Sequence, residues 1–222
     1  MDWSALTLSL RLGALTVVVL LPLAILVARP LAWRRFRGKA IVEALFALPL
    51  VLPPTVLGYY LLLAFGGASP VGRAWSDVFG GPLVFSFEGL LLASVIVNLP
   101  FAVQPVQRGF EAIPGELRDA AFCCGMTPWR VFTRIELPLA WPGILTGAVL
   151  TFAHTLGEFG VVLMIGGNIP GETRTMSIAI YDRVQAFDDA AAGRMAIVLV
   201  VLSVAAIALT YALSARVGRR LD

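Results

Sequence analysis

Charge is scarce in this sequence. Of 222 residues, 17 are Lys or Arg and 14 are Asp or Glu, or 14% charged, where a soluble domain carries about 25%. A chain of this length cannot cover a water-facing surface with so few charges, which excludes an ordinary soluble enzyme and a disordered segment. The net charge of +3 is too small for an electrostatic grip on nucleic acid, so no nucleic-acid partner is expected. Histidine is limited to His154, too few ligands for a metal centre of that type. The two cysteines, Cys123 and Cys124, are adjacent. That spacing fits neither a zinc site nor an unstrained disulfide, and they read as small apolar fillers in a reduced compartment. No phosphate-binding Gly-x-x-x-x-Gly-Lys-Ser/Thr loop occurs, so the chain is not expected to hydrolyse ATP. What is plentiful is apolar: 59% of residues are hydrophobic and the mean hydropathy is +0.86. The class left is an all-α polytopic membrane protein in contact with lipid.

Charge-free runs locate the spans, since about 20 apolar residues cross a bilayer as a helix. Arg11 to Arg29 encloses 17 uncharged residues, Glu43 to Arg73 encloses 29, Glu88 to Arg108 encloses 19, Glu136 to Glu158 encloses 21, and Arg194 to Arg216 encloses 21. Five transmembrane helices are expected, near 6–28, 40–66, 86–109, 139–165 and 194–217, in one domain covering 1–222. The second is long enough for a tilted or kinked span and too short for two. The start Met1-Asp2 has no basic region and no small-residue cleavage site follows, so the first apolar run is expected to stay as a span. Orientation follows Lys and Arg. The segment Arg29–Lys39, the stretch 108–136 and the tail with Arg216, Arg219 and Arg220 hold 12 of the 17 basic residues. They are expected on the cytoplasmic side, with the N-terminus outside and the C-terminus inside.

Residues 110–138 are too polar to span and too patterned to be slack. Pro114-Gly115 opens a turn, Glu116–Cys124 reads as a short helix with Leu117, Ala120, Ala121 and Cys124 on one face, and Gly125 ends it. Thr127-Pro128 restarts a helix as N-cap and first-turn proline, Trp129, Phe132 and Ile135 follow at helical spacing, and Pro138 closes the segment. The pattern alone fits two structures: a rigid knob below the membrane, or an amphipathic hairpin lying on the lipid surface.

Asp119-Ala120-Ala121, three residues, Gly125, nine residues, then Ile135-x-Leu137-Pro138 resembles the EAA loop of ATP-binding-cassette importer permeases, with Asp119 where that family usually has glutamate. The resemblance implies a type I importer permease fold. In it, Asp119, Ala120, Ala121, Gly125, Ile135, Leu137 and Pro138 form a coupling loop that docks on a separate ATPase dimer, which carries the ATP and Mg; this chain would bind no cofactor. Leu48–Pro54, Leu156-Gly157-Glu158-Phe159-Gly160 and Asn168–Thr175 are similar to the permeases of molybdate importers, the Gly-Glu-Phe-Gly stretch being shared with sulfate and tungstate permeases. Some of the resembled permeases carry an additional N-terminal helix, and this chain is expected to form the five-helix version. The resemblance further implies a homodimer, an extracytoplasmic molybdate-binding protein and a bacterial inner-membrane location.

Inside the spans, Gly143, Gly147, Thr151, His154 and Glu158 share one face of the fourth helix. The Gly-xxx-Gly pair reads either as a close helix contact or as a wall of a translocation path at a dimer interface. Glu158 is an intramembrane acid, which is costly and faces a cavity or partner. A carboxylate repels an oxyanion, so Glu158 is expected to hold a gate or helix break by accepting backbone N–H groups. Pro53, Pro54, Asn98, Thr151, His154, Gly157, Glu158, Phe159 and Gly160 are the candidate lining of a path or gate; kinks for packing are the plainer reading of the same prolines and polar residues. A second hydrophobic–polar stretch, Met176–Ala186, reads as a short outer amphipathic helix. Sulfate or tungstate cargo is the alternative within the same machine. A secondary transporter is the alternative of another class, and it predicts repeated halves and charged relay residues that the sequence does not show.

Overall fold

In the computed structural model, which describes residues 1–218, every regular element is helical among the described residues. The tail residues Arg219, Arg220 and Asp222, used above for orientation, lie outside the described residues. The first helix, α1 (Trp3–Trp33), starts where the Asp2 carboxylate accepts from the Ala5 N–H at 3.0 Å, satisfying one of the free donors of the first turn. Its 31 residues extend about 46 Å. Leu12, Thr16, Leu20, Ala24 and Ala28 recur every four residues and are buried, while Val18 and Leu26 on the opposite side are exposed. Arg11 and Arg29 lie about 27 Å apart along this axis, close to the ~30 Å hydrocarbon thickness.

The second expected span is not a single kinked helix. It forms α2 (Lys39–Val51) and α3 (Pro54–Phe65), and the chain turns by 110° between them. Pro53 has no N–H to continue the ladder, and Leu52, held extended ahead of it at ψ 136°, leaves the helical region as residues before proline do. Each half is about 18–20 Å long, too short to cross alone. After the short amphipathic α4 (Pro70–Phe79), α5 (Phe87–Val97) and α6 (Leu99–Glu111) form a pair bent by 44° at Asn98, ahead of Pro100.

The segment after α6 carries α7 (Gly115–Cys123), α8 (Pro128–Val131) and a π-turn (Phe132–Glu136) that runs without interruption into α9 (Leu137–Gly157). Pro138 therefore does not close the loop; it stands inside this continuous helix, two residues past the π-turn, an irregular turn beside a residue that has no N–H to give to the regular ladder. The fourth span breaks at Glu158 and resumes as α10 (Gly160–Gly166), followed by α11 (Met176–Gln185) and α12 (Asp189–Gly218). Among the described residues, three helical stretches are long and apolar enough to cross a membrane, and up to five if each bent pair counts as one span.

Among the described residues, three buried clusters hold the bundle. One joins Leu8 and Leu12 of α1 to Leu61, Leu90, Val97 and Val161. A second joins Leu20, Ala24 and Ala28 to Val103, Val106, Phe110, Ala140 and Ile144. A third packs Ala5 and Leu6 against Met176, Ala179 and Met195.

Candidate functional site: a helical knob and a polar break in the bundle

The knob is built by a complete helix-stop motif. Gly125 sits at φ +75°, its N–H donates to the Phe122 carbonyl at 2.9 Å, and the Met126 N–H donates to the Ala121 carbonyl at 3.1 Å. This double bond pattern satisfies the last carbonyls of α7 and requires the left-handed conformation that glycine tolerates. Thr127 then caps α8, accepting from the Arg130 N–H. Two short helices around a glycine bend are what the sequence pattern described.

Exposure differs from expectation. Of the face carrying Leu117, Ala120, Ala121 and Cys124, Ala121 alone is covered. Leu117 is 47% exposed, and Phe122 and Trp129 are exposed as well. Cys123 and Cys124 are free thiols on the surface, not fillers. Asp119, Ala120, Gly125 and Pro138 are exposed, whereas Ile135 and Leu137 are half-buried against the bundle. The segment therefore stands off the rest of the chain with apolar and acidic side chains uncovered, because α7 has one small buried residue and cannot lie down on its neighbours.

Sequence reasoning used Glu136 only as the edge of an apolar run. It is fully buried. Its carboxylate accepts from Arg29 Nε at 2.6 Å and Nη2 at 3.3 Å, and from Arg118 Nε at 3.1 Å. The Arg118 guanidinium lies 3.7 Å from the Trp33 ring centroid, a stacking that favours arginine over lysine. The signal in the sequence was a lone acid inside an apolar helix start, flanked by arginines that the orientation count had absorbed.

The second constellation lies where α5, α6, α9, α10 and α11 approach. Buried Asn98 donates to the Ser94 carbonyl at 2.8 Å and to Thr155 Oγ1 at 3.0 Å, and its Oδ1 is 3.2 Å from His154 Nδ1. His154 stacks on Phe101, with ring centroids 4.0 Å apart, and its Nε2 is 3.8 Å from Glu158 Oε2. Glu158 ends α9: its ψ is 130°, its Oε1 accepts from the Val161 N–H at 3.0 Å, and its carbonyl accepts from Ser177 Oγ at 2.6 Å. The carboxylate thus caps the start of α10, which a negative charge at a helix N-terminus favours.

Of the proposed path residues, Asn98, His154 and Glu158 are joined by these contacts. Phe159 reaches Tyr181 of α11, ring centroids 5.0 Å apart. Pro54 and Gly160 meet: a Cβ on Gly160 would stand 2.8 Å from the Pro54 Cβ. Pro53 is exposed at the 110° turn, Gly157 is exposed, and neither joins the polar cluster. Thr151 is buried, with no partner for its hydroxyl. Gly143 and Gly147 pack on α6 of the same chain: a Cβ would meet the Pro105 carbonyl oxygen at 2.5 Å from Gly143, and the Ala102 carbonyl oxygen at 3.1 Å from Gly147. Of their two readings, the helix contact is the one realised in this chain. The Asn168–Thr175 stretch folds on itself. Thr173 Oγ1 donates to the Gly166 carbonyl at 2.6 Å, and Arg174 donates to Asn168 Oδ1 at 2.7 Å beside Asp182.

Residues 20–221 match the model of the family described as binding-protein-dependent transport system inner membrane component. The chain is 49% identical to the molybdenum transport system permease protein ModB of Azotobacter vinelandii over 86% of this chain and 84% of that protein. It is 40% identical to ModB of Escherichia coli K12 over 91% of this chain and 89% of that protein. The sulfate transport system permease protein CysT of Escherichia coli K12 is 34% identical, over 84% of this chain and 67% of that protein. Among solved structures, a chain of a bacterial alginate ABC transporter in complex with an alginate-bound periplasmic protein superposes with a TM-score of 0.76 at 21% identity, covering 96% of this chain and 78% of that one. A chain of the MetNI methionine ABC transporter in an inward-facing form gives 0.68 at 19% identity, covering 97% and 94%.

Proposed function

The chain belongs to the binding-protein-dependent transport system inner membrane components, and on that basis we propose that it forms the membrane pore of an ATP-driven importer whose cargo is molybdate. The observation that carries the cargo is the higher identity to molybdenum permeases than to the sulfate permease, over a comparable share of the chain. The chemistry of the bundle is compatible. The donors of buried Asn98 and Thr155 are bound within the bundle, and the one acid there, Glu158, is committed to the Val161 N–H. A centre without a free charged donor sets no trap for an oxyanion, leaving affinity to another protein.

In this reading the functional unit is a homodimer in a bacterial inner membrane. Met1 lies outside and the knob of α7 and α8 lies in the cytoplasm, where Asp119, Ala120 and Gly125 present the docking edge to an ATPase dimer and buried Ala121 seats α7 behind it. ATP and Mg bind to that partner. An extracytoplasmic binding protein delivers the anion, and alternating access moves it past the break at Glu158–Phe159, where α9 and α10 are joined by two non-helical residues. The chain acts as one transmembrane domain.

Uptake of labelled molybdate by the assembled complex in proteoliposomes tests this. Competition by excess tungstate, with little by sulfate, is the expected result. Sulfate displacing molybdate at equal concentration would reassign the cargo.

A further inference from the structure

The knob is fastened to the membrane helices through very little. Among the described residues, α7 buries Ala121 alone, and its only side-chain hydrogen bond to another helical segment runs from Arg118 to Glu136 at 3.1 Å. Glu136 in turn holds Arg29 of α1 through two bonds, at 2.6 and 3.3 Å. One carboxylate, fully buried, therefore links three elements: α7, α1 and the start of α9. Arg118 is fixed from its other side by the Trp33 ring, and Arg29 faces the Phe132 ring at 5.2 Å. The linkage lies in a π-turn, Phe132–Glu136, an irregularity that natural helices keep mainly at functional positions.

We propose that Glu136 is a positioning residue for energy coupling: through Arg118 and Arg29 it makes the knob, α1 and α9 move as one body. The inference rests on the reading of 110–138 as the ATPase-docking loop. A displacement of α7 imposed from below could otherwise be absorbed by the bends at 112–114, where Ile113 alone is buried, and at 124–127. With both guanidiniums bound to one carboxylate, it is delivered to α1 and α9, which share a buried core cluster with α6. Burial makes the linkage stiff, because separating these charges inside the protein is far costlier than at an exposed pair.

The test uses the complete complex of permease, ATPase and binding protein in proteoliposomes, and reads molybdate moved per ATP hydrolysed. Glu136→Gln keeps the volume and removes the charge. Arg118→Gln cuts the tether to α7 alone and leaves Arg29 paired with Glu136, so it serves even if Glu136→Gln fails to assemble. Each variant is expected to retain the ATPase subunit on purification and to lower the transport ratio about tenfold, within the range a coupling residue commands. Spin labels at positions 34 and 116 add a readout that a purely stabilising role would not move. Their separation should stay constant on ATP binding in the unmodified linkage and change in Arg118→Gln. A normal transport ratio in Arg118→Gln, or a label separation unaffected by it, overturns the proposal. Asp119→Lys is the separate control on the docking loop. If that variant keeps the ATPase bound and coupled, the loop reading itself fails, whatever the two linkage variants do.

Discussion

Gly143→Ala adds one carbon to the tightest contact between α6 and α9. That carbon would stand 2.5 Å from the Pro105 carbonyl oxygen and 2.8 Å from the Gly109 Cα, short of ordinary van der Waals separation by roughly 1 Å. Both obstacles are backbone, so no side chain can turn away and the helices must part. Forced overpacking of this kind costs about 1–3 kcal/mol, a shift of roughly 5–160-fold in the folded-to-unfolded ratio. Gly147→Ala is the internal comparison. Its Cβ would meet the Ala102 carbonyl oxygen at 3.1 Å and the Val106 Cγ2 at 3.3 Å, a misfit of a few tenths of an ångström that a slight shift of the helices and a turn of the Val106 side chain relieve. Unfolding of the two purified variants in mixed micelles should therefore show a clear loss for Gly143→Ala and little for Gly147→Ala. Equal stabilities, or the reverse order, would refute the claim that backbone contact at Gly143 sets the α6–α9 distance. Gly147→Leu, which cannot be relieved by one rotamer, should lower uptake as well as stability.

Gly125→Val forces a β-branched residue to φ +75°, at a cost of roughly 1–2 kcal/mol. A Cβ there meets nothing within 4 Å, so the chain should insert normally while ATPase co-purification falls; full retention of the ATPase would count against the docking edge. Cysteines introduced at positions 35, 75 and 180 should be labelled from outside at 75 and 180 only, and labelling of 35 alone inverts the topology. The Ser4 hydroxyl and then the Ala5 N–H, both donating to the Asp2 carboxylate, hold its pKa below the ordinary value. A lowered folded-state pKa adds stability above the unfolded value that is lost as pH falls through the folded one. Fraying of the α1 N-terminus, followed by hydrogen exchange, should thus increase below about pH 4 in the natural chain, and Asp2→Asn should flatten that dependence.

Hydropathy and backbone permission are local properties, and the sequence carried them openly. Charge-free runs between Arg11 and Arg29, and between Glu136 and Glu158, marked helices because lipid accepts no unpaired charge and no unpaired backbone. Gly125 announced the bend of the knob, since that turn needs a positive φ. The prolines at 53 and 54 gave a break, but not its size. The 110° turn depends on where α3 packs, and that is decided by Gly58 and Gly160 admitting the close approach of α10. Likewise the glycine face of α9 could serve a neighbouring helix or a second chain, and only the approach of Pro105 and Gly109 assigned it to α6. Glu136 was hidden most completely. Its partners Arg29 and Arg118 lie 107 and 18 residues away in the sequence, and no periodicity links them. A charge at the membrane edge reads as a boundary until folding brings two guanidiniums to it, because the energy that justifies burying it comes entirely from those distant partners.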